Sequence, residues 1–214
     1  MAGIAGNGES ALRDLKGKIA WITGAGTGIG QAGAVSLARA GMEVVLSGRR
    51  RENLEETAAL VEKTGKVPVI EELDVADSES VSEVVARIEE RFQRLDVAVL
   101  SAGINVKNRS WKEVDTDGWD SVVDIDLNGA FYCCRSVLPI MRRQKEGLIV
   151  NVASWAGVRV SKLTGPAYTA AKHGMVAMSE SLNMEEAING IRSCALCPGE
   201  VATPILENRP VKVT

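Results

Sequence analysis

Tyr168 and Lys172, in Tyr168-Thr-Ala-Ala-Lys172, stand four residues apart, the spacing that puts two side chains on one helical face. A phenol and an ammonium so placed can form a proton-transfer pair. A free phenol has a pKa near ~10 and is a poor base at neutral pH. A neighbouring cation favours the ionised form, and lowering the pKa by about three units takes roughly 4 kcal/mol of differential stabilisation. Tyr168 could then take a proton from an alcohol, or return it to a carbonyl, as hydride moves. The string alone is common and also fits a bland surface pair. Ser154 strengthens the first reading. It lies in Asn151-Val-Ala-Ser154-Trp-Ala-Gly157, just past an apolar strand, at the end where open α/β sheets bind ligands. A hydroxyl there can hydrogen-bond the reacting oxygen, whereas a turn or cap serine is the plain alternative.

A second cluster opens the chain: Thr23-Gly24-Ala25-Gly26-Thr27-Gly28-Ile29-Gly30, between a first strand and a first helix. Glycines at 24, 28 and 30 let the chain turn sharply and approach a pyrophosphate, with Thr27 and Ile29 between them. The helix that follows offers free N–H groups to phosphate. In that position the glycine motif is a strong dinucleotide signal. The end of the second strand reads Ser47-Gly48-Arg49-Arg50-Arg51, with no acid to bind a ribose 2′-hydroxyl. An arginine there suits a 2′-phosphate, so NADP(H) is favoured over NAD(H), with Arg49 the better candidate among the three.

Regular alternation of strand and helix must position these groups. Strands are expected at 18–23, 43–47, 67–73, 97–100, 148–152 and 191–196, and helices at 31–40, 50–64, 77–94, 116–144 and 167–187. The strands are mostly continuous apolar runs, as in a parallel sheet covered on both faces. The expectation is one α/β domain over 1–214, a doubly wound parallel sheet in three layers, with residues 1–15 a flexible N-terminus.

Whole-chain numbers narrow the function classes. With 214 residues, a net charge of -3 and 45% hydrophobic residues, the chain has no basic footprint for nucleic acid and no apolar run long enough to span a bilayer. The N-terminus has no secretory pattern, so a cytoplasmic location is expected. Cys133, Cys134, Cys194 and Cys197 read as buried reduced thiols. With one histidine, His173, no metal site is expected. Trp155 reads as pocket wall or core, and Trp111 and Trp119 as local packing.

From about Lys16 to Leu206 the chain resembles the single-domain short-chain dehydrogenases/reductases. The resemblance rests on Thr-Gly-x-x-x-Gly-x-Gly at 23 to 30, Asp74-Val75, Ala102-Gly103, Ser154, Tyr168 with Lys172, and Pro198-Gly199 followed by Thr203. It implies that Ser154 orients substrate, Tyr168 is the acid/base, and Lys172 holds the nicotinamide ribose while lowering the tyrosine pKa. It also implies that Asp74 and Val75 contact adenine, and that Ala102 and Gly103 allow close backbone approach. Pro198 to Thr203, with Gly199 and Val201, would pack on the nicotinamide end. A homodimer through the helices near 116–144 and 167–187 is implied as well.

Three departures stand out. Leu100-Ser101-Ala102-Gly103 replaces the family's Asn-Asn-Ala-Gly. Asp126-Leu-Asn-Gly129 replaces a string that usually opens with the catalytic asparagine, and its charge near Lys172 could oppose phenolate formation. The chain stops at Thr214, where the resemblance would add a substrate-covering helix and a seventh strand. An exposed edge at strand six and a less enclosed site are therefore expected. Substrate walls are sought at Lys107, Val158, Arg159 and Leu163. Two functions stay open: an oxidoreductase of alcohols and carbonyls, or a cofactor-binding regulator without turnover.

Overall fold

The computed structural model describes residues 14–208. The first strand, β1 (Ile19–Thr23), is buried at all five positions, because helices cover both faces of the sheet it belongs to. It is followed by α1 (Gly28–Arg39), β2 (Glu43–Gly48), α2 (Arg51–Glu62), β3 (Val69–Glu72), α3 (Ser78–Phe92) and β4 (Val97–Leu100). The second half adds α4 (Thr116–Val123), α5 (Gly129–Gln144), β5 (Gly147–Val152), α6 (Pro166–Glu186) and β6 (Ile191–Leu196). The strands form one parallel sheet in the order β3-β2-β1-β4-β5-β6. The expected doubly wound α/β architecture is therefore present. Alternate residues of β1 feed two cores: Ile19 and Trp21 one, Ala20 and Ile22 the other.

The chain leaves β1 towards β2 and returns to β4 on β1's other side, so the loops after β1 and β4 diverge and open a crevice. Thr23, buried at the end of β1, holds the two loops in step. Its hydroxyl oxygen accepts the N–H groups of Ser101 (3.2 Å) and Ala102 (3.3 Å). At the opposite end of the sheet, Asp96 plays the corresponding part. Its carboxylate accepts the Ile19 N–H at 2.8 Å and two bonds from Arg94 at 2.9 and 2.5 Å, and Lys18 stands 3.5 Å away. Burial pushes the Asp96 carboxyl up. The bonds from Arg94 and Ile19, with the charges of Arg94 and Lys18, outweigh that and hold it below the usual carboxylate range.

Several sequence expectations need correction. The first helix begins at Gly28 rather than 31, inside the glycine turn itself, and the third strand is trimmed to Val69–Glu72, with Val67 exposed. The expected helix over 116–144 is interrupted by a π-helical turn at Asp124–Asn128, one extra residue per turn that hydrophobic periodicity does not reveal. Cys133 and Cys134 are buried, but Cys194 is exposed and Cys197 half-buried, because β6 is the outer strand among the described residues. Trp111 and Trp155 are exposed, while Trp119 lies within α4 and packs beside Val122 and Ala167. The flexible terminus expected at 1–15 falls almost wholly outside the described residues.

Candidate active site

The turn after β1 has the shape its glycines require. Gly24 and Gly28 sit at φ +62° and +57°, in the left-handed region. A Cβ on Gly24 would lie 2.7 Å from the Ser101 carbonyl and the Ala102 nitrogen, so only glycine lets the β1 and β4 loops approach this closely. Gly30 is buried behind the turn, where a Cβ would fall 2.3 Å from the Gly24 carbonyl, so it packs α1 onto the turn rather than lining the crevice. Thr27 precedes α1 in extended backbone, and its side chain makes no capping bond. Thr27, Gly28 and Ile29 line the cavity, and no side chain caps the start of α1, the arrangement that suits a pyrophosphate.

On the β2–β3 side, a small hollow is lined by Arg49, Asp74, Val75, Ala102 and Gly103, beside Gly48 and Ile125. Arg49 and Asp74 are each about half exposed and 3.9 Å apart, a loose pair that leaves the guanidinium able to turn to an anion. Arg51 is committed elsewhere, to Glu55 at 2.8 Å and Glu72 at 2.9 Å. The hollow fits the adenosine end of a dinucleotide. The glycine turn, with Pro198, Gly199, Val201 and Thr203 facing it across a larger cavity, fits the rest.

That larger cavity also brings together Ser154, Tyr168 and Lys172. Pro166 occupies the first turn of α6, where its missing N–H costs nothing, so Tyr168 and Lys172 lie on the helix's first two turns. The Lys172 ammonium lies 5.4 Å from the centre of the Tyr168 ring. It donates to the Val152 carbonyl at 3.2 Å and is almost fully buried. Ser154 caps a short 3-10 turn by accepting the Ala156 N–H at 3.1 Å, leaving its own O–H uncommitted among the described residues. The cap and the cavity-facing role therefore coexist. Two contacts hold the Ser154 loop in place: the Trp155 N–H donates to the Pro198 carbonyl at 2.8 Å, and Gly157 presses against the α6 backbone, where a Cβ would lie 2.6 Å from the Lys172 carbonyl.

Of the expected substrate-wall residues, Leu163 lines the cavity, whereas Lys107, Val158 and Arg159 do not. Val158 and Arg159 are exposed because the chain turns outward after Gly157. Sequence reasoning missed Asn105 and Arg109, both buried and both on the cavity wall. Asn105 donates to the Thr164 carbonyl at 3.0 Å, and its amide oxygen is buried without a hydrogen-bond partner. Their position, just after Ala102-Gly103 at the end of β4, was the available signal. His173 points away, its Nδ1 2.9 Å from the Thr169 carbonyl.

Asp126, where the chain departs from the family's asparagine, does stand beside Lys172. The π-helical turn tucks it inward to zero exposure, where one carboxylate oxygen accepts the Ile104 N–H at 2.7 Å and the other lies 3.2 Å from Lys172 Nζ. Burial pushes its carboxyl up. The Lys172 charge and the Ile104 N–H oppose that only in part, so it stays above the usual carboxylate range.

Comparison with known proteins agrees with this geometry. The family profile described as short chain dehydrogenase matches residues 18–213. The chain is 36% identical over 190 residues to 3beta-hydroxysteroid dehydrogenase of Mediterraneibacter gnavus, covering 89% of this chain and 68% of that one. Among solved structures, levodione reductase superposes with a TM-score of 0.87 at 36% identity, covering 90% of this chain and 75% of that one. NAD+-bound xylitol dehydrogenase superposes with a TM-score of 0.84 at 32% identity, over 87% and 72%. This chain belongs to the short-chain dehydrogenase family. It is an oxidoreductase of hydroxyl and carbonyl groups, and the family works with NAD(H) or NADP(H). No helix among the described residues is long and apolar enough to cross a membrane.

Proposed function

We propose that this short-chain dehydrogenase moves hydride between NADP(H), with NAD(H) the weaker alternative, and a small-molecule alcohol or carbonyl. The supporting observation is that Ser154, Tyr168 and Lys172 line the same cavity as the glycine turn. The nicotinamide, when bound, supplies or accepts the hydride. Gly24 and the first amides of α1, with Thr27, Gly28 and Ile29, hold the pyrophosphate, and Asp74, Val75, Ala102 and Gly103 bound the adenosine end. Pro198, Gly199, Val201 and Thr203 bound the nicotinamide end. Ser154 donates its O–H to the reacting oxygen, and Tyr168 takes the proton from that oxygen in oxidation or delivers it in reduction. Lys172 sets its ammonium 5.4 Å from the Tyr168 ring and would hold the nicotinamide ribose. Asn105 and Arg109 give the substrate end of the cavity two polar side chains.

The decisive experiment is turnover of a panel of ketones, aldehydes and alcohols with NADPH and NADH in parallel. Tyr168→Phe is expected to lose between about 10²- and 10⁴-fold in kcat, the usual worth of a positioned acid/base. Full turnover in that variant removes Tyr168 from the chemistry. NADPH binding without turnover of any panel member points instead to a cofactor-binding regulator. For cofactor choice, Arg49→Ser is expected to raise the KM for NADPH about tenfold and leave that for NADH nearly unchanged. Equal effects on both cofactors would sink the assignment of Arg49 to a 2′-phosphate.

The assembly proposed is a homodimer through the outer faces of α4–α5 and α6, supported by the exposed Phe131 and Met184 on those helices. The location proposed is the cytoplasm, supported by four unpaired cysteines.

A further inference from the structure

Behind the cavity wall, Asp126 and Lys172 form a buried ion pair. We propose that Asp126 is a positioning residue: its carboxylate holds the Lys172 ammonium and, by sharing that charge, sets how readily Tyr168 releases its proton. The inference rests on reading Tyr168 and Lys172 as the proton-transfer pair.

The geometry leaves Asp126 little else to do. Its orientation is fixed by the Ile104 N–H at 2.7 Å, and it has no access to water. The other oxygen faces the Lys172 ammonium at 3.2 Å, so the Lys172 charge and a side-chain hydrogen bond from it both favour the carboxylate. Lys172 in turn is held by the Val152 carbonyl and the Met175 sulfur, 3.2 and 3.4 Å away. Gly103 closes over both groups, where a Cβ would lie 3.2 Å from Asp126 Oδ2 and 3.3 Å from Lys172 Nζ.

The charge balance gives the sign. With Asp126 ionised, phenol, ammonium and carboxylate sum to zero, and losing the phenol proton leaves a net negative charge in a poorly hydrated place. With the carboxylate neutral, losing that proton takes the group from positive to zero, which is easier. Burial holds the Asp126 carboxyl above its ordinary range, so the pair can take up a proton before an exposed carboxylate would, freeing the Lys172 charge for Tyr168. Few other charges intervene. Among the described residues Arg109 lies on the cavity wall from the β4–α4 loop, and His173 on α6 faces Thr169. β5 and the Ser154–Gly157 turn present no ionisable side chain.

The chain holds two tyrosines, Tyr132 and Tyr168, so a Tyr132→Phe background leaves Tyr168 as the sole source of tyrosinate absorbance. Titrated by ultraviolet difference absorbance without cofactor or substrate, Asp126→Asn in that background is expected to form tyrosinate about one pH unit lower than its parent. Lys172→Met is expected to move the midpoint upward, and adding Asp126→Asn to it should lower the midpoint by less than the same substitution does when Lys172 is present. If Asp126→Asn does not fold, Asp126→Ser removes the charge while keeping an acceptor for Ile104, with the same expected direction. The acidic limb of kcat/KM for alcohol oxidation should move with the midpoint. An unmoved midpoint in a folded variant overturns the role of Asp126, whatever the turnover. A moved midpoint in a protein that turns over no substrate keeps the Asp126 coupling and brings down the catalytic reading instead.

Discussion

Two aspartates are buried at opposite ends of one sheet and are held in opposite ways. Asp96, at the amino end of β4, is met by one backbone N–H and the cations of Arg94 and Lys18, so its carboxyl sits below the usual range despite burial. Asp126, at the carboxyl end, has one N–H and one ammonium, no water, and a carboxyl above the usual range. A carboxylate met by three hydrogen bonds and a second cation behaves as a clamp, tying the start of β1 to that of β4. One left short of partners is costly to keep charged, and here it lies beside the groups proposed to move a proton. The sheet is saturated at its amino end and under-satisfied at the carboxyl end, where the cofactor and substrate are proposed to bind.

Stability measurements test that contrast most strongly. Asp96→Ala orphans the Ile19 N–H and the half-exposed Arg94 guanidinium, while Lys18 keeps Glu146 at 3.3 Å, and is expected to cost about 2–3 kcal/mol in urea denaturation. Asp126→Asn relieves a carboxyl disfavoured by burial but leaves the buried Lys172 ammonium without its counter-charge, so it is expected to cost about 1–2 kcal/mol at neutral pH, less than Asp96→Ala. Equal losses in the two variants would end the distinction.

The pH dependence sharpens it. An unfolded aspartate titrates near ~3.9. The folded Asp96 value lies below that, so its contribution is complete above about pH 4 and is lost as pH falls through the lower folded value. The folded Asp126 value lies above it, so its contribution runs the other way, declining as pH rises from about 4 through the raised value. Urea midpoints between acid and neutral pH should show a shallower acid loss in Asp96→Ala and a higher neutral plateau, relative to acid, in Asp126→Asn.

The smallest effect concerns fit. Gly103→Ala places a methyl against both Asp126 and Lys172 at distances that force a shift of a few tenths of an ångström. Turnover is expected to fall between about three- and tenfold with the melting temperature nearly unchanged, because a small misplacement affects reacting groups more than packing. A large drop in melting temperature with unchanged kcat would mean the pair serves the fold alone.

Local chemistry made much of this legible in advance. The four-residue spacing of Tyr168 and Lys172 needs only a helix to bring them onto one face, and the turn at Gly24–Gly30 needs only a strand before it and a helix after it. Gly41 and Gly65, at φ +99° and +85°, stop their helices as their positions suggest, because a glycine just past a periodic run is a local signal. The limits of such reading show at Cys194, apolar in pattern yet exposed on the outer strand, and at Arg49 and Asp74, whose loose pairing depends on how far β2 and β3 extend.

Taken alone, the residue order determined the alternation of strand and helix, the glycine turn and the spacing that puts Tyr168 and Lys172 on one helical face, since each depends on neighbours within a few positions. Only the tertiary structure decided that α4 and α5 are parted by a π-helical turn, and that this turn carries Asp126 to Lys172, 46 positions later in the chain. Burial and pairing depend on which distant segments pack together, so whether a charge steadies a sheet or tunes a reaction is settled in three dimensions.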